Sequence, residues 1–207
     1  MKYMRMAFLS LIAFSMSSSA AVVFGNLGAD GSGSFSGVVG VGGTTEWDTH
    51  SFSTGSSSLL SLQSVTMGLV LSTGGPSTVT MRLYSDSAGE PDSILATATN
   101  SVSTGNSQRL SFDFNQTLTA NTTYWVAIGG VANLDWSLGT AGEPVEQNSS
   151  GYSWQGGAFS TDSGSTWTDY EKEWTENRGS ISVVAVPEPS AALLCALGLL
   201  VSLRRQR

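Results

Sequence analysis

Between residues 60 and 130 apolar and polar residues repeatedly alternate, and this period of two most limits what the chain can fold into. Val79, Met81 and Leu83 alternate with Thr80, Arg82 and Tyr84. Leu110, Phe112 and Phe114 alternate with Ser111, Asp113 and Asn115, and Tyr124, Val126 and Ile128 with Trp125, Ala127 and Gly129. Val65, Met67, Leu69 and Leu71 form a fourth apolar row. Successive strand residues point to opposite faces, so each run is a strand with one buried face. Turn signals separate the runs: Gly74-Gly75-Pro76, Gly89-Glu90-Pro91-Asp92 and Thr104-Gly105-Asn106. Long helical patterns and internal repeats are absent from this stretch. The pattern predicts an all-β fold, an antiparallel β-sandwich of jelly-roll type. Its last strand is the β-branched run Ser180-Ile181-Ser182-Val183-Val184-Ala185, which the following prolines end.

The two ends of the chain are built differently. Lys2 and Arg5 precede an apolar segment, Met6 to Phe14, and then small residues up to Ala21. This is the pattern of a secretory signal peptide over residues 1–21, with cleavage after Ala20 or Ala21. At the other end, residues 186–207 read Val186-Pro187-Glu188-Pro189-Ser190, an apolar run from Ala191 to Leu203, and Arg204-Arg205-Gln206-Arg207. The prolines disfavour helix at and before them, so helix is predicted only after Pro189. Residues 190–203 would give about 21 Å of helix at 1.5 Å per residue. That is short against a bilayer core of about 30 Å. Arg204, Arg205 and Arg207 extend the span by reaching the headgroups, and they place the end of the chain on the cytoplasmic side.

Motif, short apolar helix and basic stop, in that order, resemble the PEP-CTERM protein-sorting signal of Gram-negative bacteria. The resemblance implies export, a pause in the inner membrane on a single transmembrane helix, and processing by an exosortase that recognises Pro187-Glu188-Pro189. It implies handling at the cell surface and leaves the role of the domain open.

Between the two ends, residues 22–185 are long enough for one domain with a real core. Residues 22–186 hold four basic residues, Arg82, Arg109, Lys172 and Arg178, against fifteen acidic ones. The whole-chain net charge of −7 understates this acidity because the other basic residues lie in the terminal segments. An acidic domain is not drawn to nucleic acid or to anionic headgroups. The single cysteine, Cys195, lies in the tail, so the domain has neither disulfide nor thiol chemistry and must be held by packing.

A second resemblance runs along the domain. Its marks are Gly25-Asn26-Leu27-Gly28, Ser51-Phe52-Ser53-Thr54-Gly55 and Leu83-Tyr84-Ser85-Asp86 before Gly89-Glu90-Pro91. They continue with Leu95-Ala96 and with Leu118-x-Ala120-Asn121-Thr122-Thr123-Tyr124-Trp125-Val126. Together they are similar to the choice-of-anchor R domain, a bacterial surface ectodomain found with different anchoring tails. The likeness implies architecture and location and no chemistry.

Several residues are candidate sites. Ser160, Asp162, Gly164, Thr166 and Trp167 fit the Asp-box pattern Ser-x-Asp-x-Gly-x-Thr-Trp, a structural β-hairpin in the proteins that carry it. In such a turn Asp162 accepts backbone N–H groups, Gly164 takes positive φ and Trp167 packs beneath. The six tryptophans suit core and turn packing, and Trp136 and Trp154, which flank a long polar stretch, are the pair expected to be exposed if a glycan is contacted. Asp169, Glu171, Glu173 and Glu176 are closely spaced carboxylates that suit either a glycosidase pair or calcium, and otherwise a solvated surface. Asp30-Gly31-Ser32-Gly33 is a second, incomplete calcium pattern. His50 is the only histidine, and no Gly-x-Ser-x-Gly elbow accompanies it, so neither a serine triad nor a multi-histidine metal site is expected. No cofactor is predicted. The expected function is that of a non-enzymatic, exosortase-processed surface or matrix protein with exopolysaccharide as a partner. A carbohydrate-binding module and a glycoside hydrolase are the alternatives.

Overall fold

The computed structural model describes residues 21–25, 38–56, 60–105, 108–137, 153–169 and 181–187. All lie in one compact unit, Ala20–Glu188. They form β1 (Ala21–Gly25), β2 (Val38–Val41), β3 (Trp47–Ser53), β4 (Leu60–Leu71), β5 (Ser77–Ser87) and β6 (Glu90–Val102). These are followed by β7 (Gln108–Leu118), β8 (Thr123–Gly129), β9 (Leu134–Ser137), β10 (Ser153–Ser160), β11 (Thr168–Asp169) and β12 (Ile181–Pro187). The described residues contain no helix.

The strands make two six-stranded sheets. The first runs β1-β12-β4-β9-β2, with β7 also paired to β4. The second runs β11-β10-β3-β8-β5-β6. Every ladder between strands is antiparallel. From β3 onward the chain crosses between sheets at almost every connection; β5–β6 and β10–β11 are the pairs of successive strands that stay together. Such crossing brings the inner faces of the two sheets together.

β4 organises the first sheet. One edge pairs with β7 from Leu60 to Leu69. The other is shared: β12 takes Leu60 to Met67, and β9 takes Leu69 to Leu71. β12 runs through Val186 and Pro187, which pair with Ser61 and Leu60. The sheet therefore reaches two residues beyond the expected strand end at Ala185. Proline is tolerated there because a strand terminus can lack a donor. Glu188, Pro189 and Ser190, the apolar run and Arg204, Arg205 and Arg207 lie outside the described residues, as do residues 1–20.

The alternation seen in the sequence produces the core. From the first sheet Leu62, Val65, Met67, Leu69, Leu71, Phe112, Phe114, Leu118, Leu134 and Trp136 turn inward. From the second, Phe52, Val79, Met81, Leu83, Val102, Tyr124, Val126 and Ile128 meet them in one cluster. The arrangement is sandwich-like. β7 shows the alternation most clearly, with Phe112 and Phe114 buried between exposed neighbours. β3 and β8 do not alternate in burial, because both of their faces are covered.

The turn between β7 and β8 gives physical roles to several residues of the Leu118-to-Tyr124 motif. Asn121 takes φ 51°, and its N–H donates to the Gly55 carbonyl at 3.1 Å. Tyr124 Oη accepts the backbone N–H of Thr119 at 2.8 Å. Thr54 Oγ1, on a buried residue, donates to the Thr119 carbonyl at 2.6 Å and accepts the Thr122 N–H at 2.9 Å. Backbone groups that leave the ladders here are thus satisfied by side chains.

Removing a core aromatic tests this packing. Phe112→Ala is expected to cost about 3–5 kcal/mol, since the ring is fully buried between the sheets and the cavity collapses only in part. Equilibrium unfolding in urea measures it. A loss near that of an exposed site would place Phe112 outside the core.

Candidate functional site on the outer face of the second sheet

The outward row of the second sheet carries a separate apolar cluster: Trp47 from β3, Tyr84 from β5, Trp125 and Ala127 from β8, and Ala158 from β10. Outward aromatics on a sheet need a cover, and here the hairpin at 160–167 supplies it. Trp167 is half-buried against the cluster and meets Tyr84 edge-on, ring centroids 5.5 Å apart.

The hairpin is organised around one carboxylate. Asp162 Oδ1 accepts the backbone N–H groups of Ser165 and Thr166 at 2.9 and 2.8 Å and the Ser160 hydroxyl at 2.8 Å. Asp162 Oδ2 accepts the Thr166 hydroxyl at 2.7 Å. Ser160 Oγ in turn accepts the Gly164 N–H at 2.9 Å. These hydrogen bonds favour the charged form. They lower the Asp162 pKa from 3.8 to about 2, the Thr166 side chain contributing most. Ser163 and Gly164 both have positive φ, 67° and 84°. At Gly164 a Cβ would stand 2.8 Å from Tyr84 Oη and 3.2 Å from the Trp167 ring, so both conformation and space require glycine.

The hairpin is fastened to the sheet through Arg82. Its guanidinium lies over the Trp47 ring, 4.0 Å from the centroid, and donates to the Ser163 carbonyl at 3.0 Å. The Ser163 N–H donates to the Thr45 carbonyl at 2.7 Å. Trp47 can lie flat because Gly129 is beneath it. A Cβ at Gly129 would come within 2.6 Å of the Glu46 carbonyl oxygen and 2.7 Å of the Trp47 ring. Glycine, indole, guanidinium and turn backbone therefore stack in that order, with the cation held against the face of the ring.

Beside this roof lies a shallow cleft of about 320 Å³, lined by Ser51, Asp86, Gly89, Thr123, Trp125, Gln155, Gly156, Gly157 and Asp169. The Trp125 indole N–H donates to Asp86 Oδ1 at 2.7 Å, and Ser51 Oγ donates to the Gly156 carbonyl at 3.0 Å. Sequence reasoning missed this cleft: β10 and β3 show no alternation, and five strands and the β5–β6 turn bring its residues together.

The other expected residues fall elsewhere. Trp136, expected as an exposed glycan contact, is 1 % exposed. It sits in β9, paired with Leu69, and its ring packs in the core edge-on to His50 at 4.6 Å. It cannot stack on a sugar. The short strand that follows the Val131-to-Asn133 turn carries it inward, which the neighbouring polar stretch disguised. The Trp154 side chain lies outside the described residues, as do Glu171, Glu173, Glu176 and 30–33. Asp169 is exposed in β11. His50 is buried in β3. Among the described residues no three metal-binding side chains converge. No protein-family model matches this chain, and no curated protein matches it.

Two outcomes follow from the hairpin. Because the folded pKa of Asp162 is lowered, its contribution to stability is present above about pH 4 and is lost as pH falls towards 2. Asp162→Ala is expected to lower the melting temperature at neutral pH and to flatten the fall in stability between pH 4 and 2. Thermal unfolding of both proteins across that range checks the sign. Gly129→Ala is expected to destabilise by about 1–3 kcal/mol, because the new Cβ presses on both the Glu46 carbonyl and the Trp47 ring. A neutral result in urea unfolding would mean that neither contact is as close as described.

Proposed function

We propose that this chain is an exported surface or extracellular-matrix protein of a Gram-negative, exopolysaccharide-producing bacterium, and that its domain has a structural or adhesive role and is not an enzyme. In this reading residues 1–21 are a signal peptide and the domain is a jelly-roll-like sandwich. The tail is an exosortase substrate with one transmembrane helix at 190–203. The protein waits in the inner membrane, is processed at Pro187-Glu188-Pro189, and then acts at or beyond the surface.

The observation that carries the reading is the three-part tail in its order: motif, short apolar run, basic stop. The end of the last strand supports it. Among the described residues β1 reaches Ala185, through Ala21, and beyond it Val186 and Pro187 pair with Ser61 and Leu60 of β4. Pro187 has no N–H to add to a ladder. The motif therefore begins in extended backbone at the end of β12, which suits recognition of an extended segment. The acidic, cysteine-free composition of the domain suits an exported protein that does not bind nucleic acid.

Replacing Pro187, Glu188 and Pro189 by alanine tests the proposal. The domain should keep the unfolding transition of the parent, because only the last residue of β12 changes. The variant should accumulate at full length in the inner membrane, while the parent appears trimmed in the surface-released fraction, as read by fractionation and mass spectrometry. Release and trimming of the variant like the parent would reduce the tail to a plain membrane anchor.

A further inference from the structure

We propose that the cleft between β10, β3, β8 and β5 binds a neutral sugar unit through its hydroxyl groups. The inference does not depend on how the protein is exported.

The hollow exists because side chains are withheld from one patch of the sheet. Ser51, Gly156 and Gly157 put little above the backbone, and β10 shifts register between Trp154 and Gly156. A Cβ at Gly156 would meet only Ser51 Oγ, at 3.8 Å. Packing therefore does not demand glycine there, and its effect is to keep the space open. The volume of about 320 Å³ stands at the small end of small-molecule sites, about 300–1,000 Å³.

The lining suits a polyol. Two carboxylates, Asp86 and Asp169, accept hydrogen bonds, while the Thr123 hydroxyl and the Gln155 amide both donate and accept. Neighbouring hydroxyls on a sugar ring can do both, and their bonds to a carboxylate are the strong, charge-assisted kind. Asp86 is oriented in advance. The indole N–H of Trp125 holds Oδ1, and the Gly89 N–H reaches Oδ2 at 3.4 Å. Little side-chain freedom is then lost when a ligand arrives. Among the described residues no lysine or arginine lines the cleft to attract an anion. Among the described residues no third carboxylate joins Asp86 and Asp169 to make a charged cluster for calcium. Trp125 is 3 % exposed, so it serves as a hydrogen-bonding support for Asp86 and not as a stacking platform.

The test follows the Trp125 indole N–H resonance by nuclear magnetic resonance, using the full chain in a detergent without sugar headgroups. The probes are methyl glucoside, methyl galactoside, methyl mannoside and their short oligomers, with calcium chloride and ethylammonium as competitors of other chemistry. At least one neutral sugar should shift the resonance saturably. Asp169→Ala should weaken that binding about tenfold through loss of a charge-assisted bond. Gly156→Val should abolish it by filling the floor, with the unfolding transition kept. If Gly156→Val does not fold, Asp169→Ala decides alone. No response to any of the sugars, a response to calcium or ethylammonium only, or a sugar response unchanged by Asp169→Ala would overturn the proposal.

Discussion

Burial of one shared apolar layer is the constraint on which everything else rests. The domain has no cysteine, so no covalent link holds the sheets together. Antiparallel ladders satisfy the backbone within each sheet but do nothing to join one sheet to the other. That task falls to Leu62, Val65, Met67 and Leu69 of β4, with Phe112 and Phe114 of β7 beside them, and to the rows of β5 and β8 that face them. β4 is the natural centre because both of its edges are paired along most of its length. A strand so placed has its backbone protected from water, and its inward residues are fixed in register.

The second sheet adds a problem that a two-layer fold does not solve by itself. Its outward row includes two indoles and a phenol. Left bare, they would make an apolar patch on an acidic surface. The hairpin at 160–167 covers them, and its own turn is held rigid by a carboxylate that needs no partner outside the loop. Arg82 supplies the join, and because a guanidinium can stack and donate at once, one side chain touches both ring and turn. Lysine at this position would keep the charge and lose the fork. The roof stops short of Ser51 and Gly156, and the cleft begins where the cover ends.

Much of this fold is legible in the sequence where one face of a strand is dry and the other wet. Phe112 and Phe114, or Val79, Met81 and Leu83, announce their faces directly. β3 is the opposite case. Trp-Asp-Thr-His-Ser-Phe-Ser has no apolar period, yet nearly all of it is buried. Its polar groups are carried inside by bonds to neighbouring strands, such as Thr49 Oγ1 to the Val126 carbonyl at 2.9 Å. Periodicity cannot report a strand covered on both sides. The hairpin at 160–167 was readable because its chemistry is local, with donors and acceptor within a few residues. The cleft was not, because it is made by register between distant strands and by side chains that are missing. Trp136 shows the same limit: its environment is set by Leu69 across the ladder and not by the polar residues beside it in sequence.

The pairing of β1 with β12 has a consequence for how the molecule is made. The first strand finds its partner only when the last one has been synthesised, and β12 must slide in between β1 and β4. Such long-range closure is slow, and until it happens one edge of β4 stands open over most of its length to any other strand nearby. In the proposed topology the helix that halts translocation follows directly behind β12. A chain stopped at that point would be held singly at the membrane, away from its neighbours, while the final strand inserts.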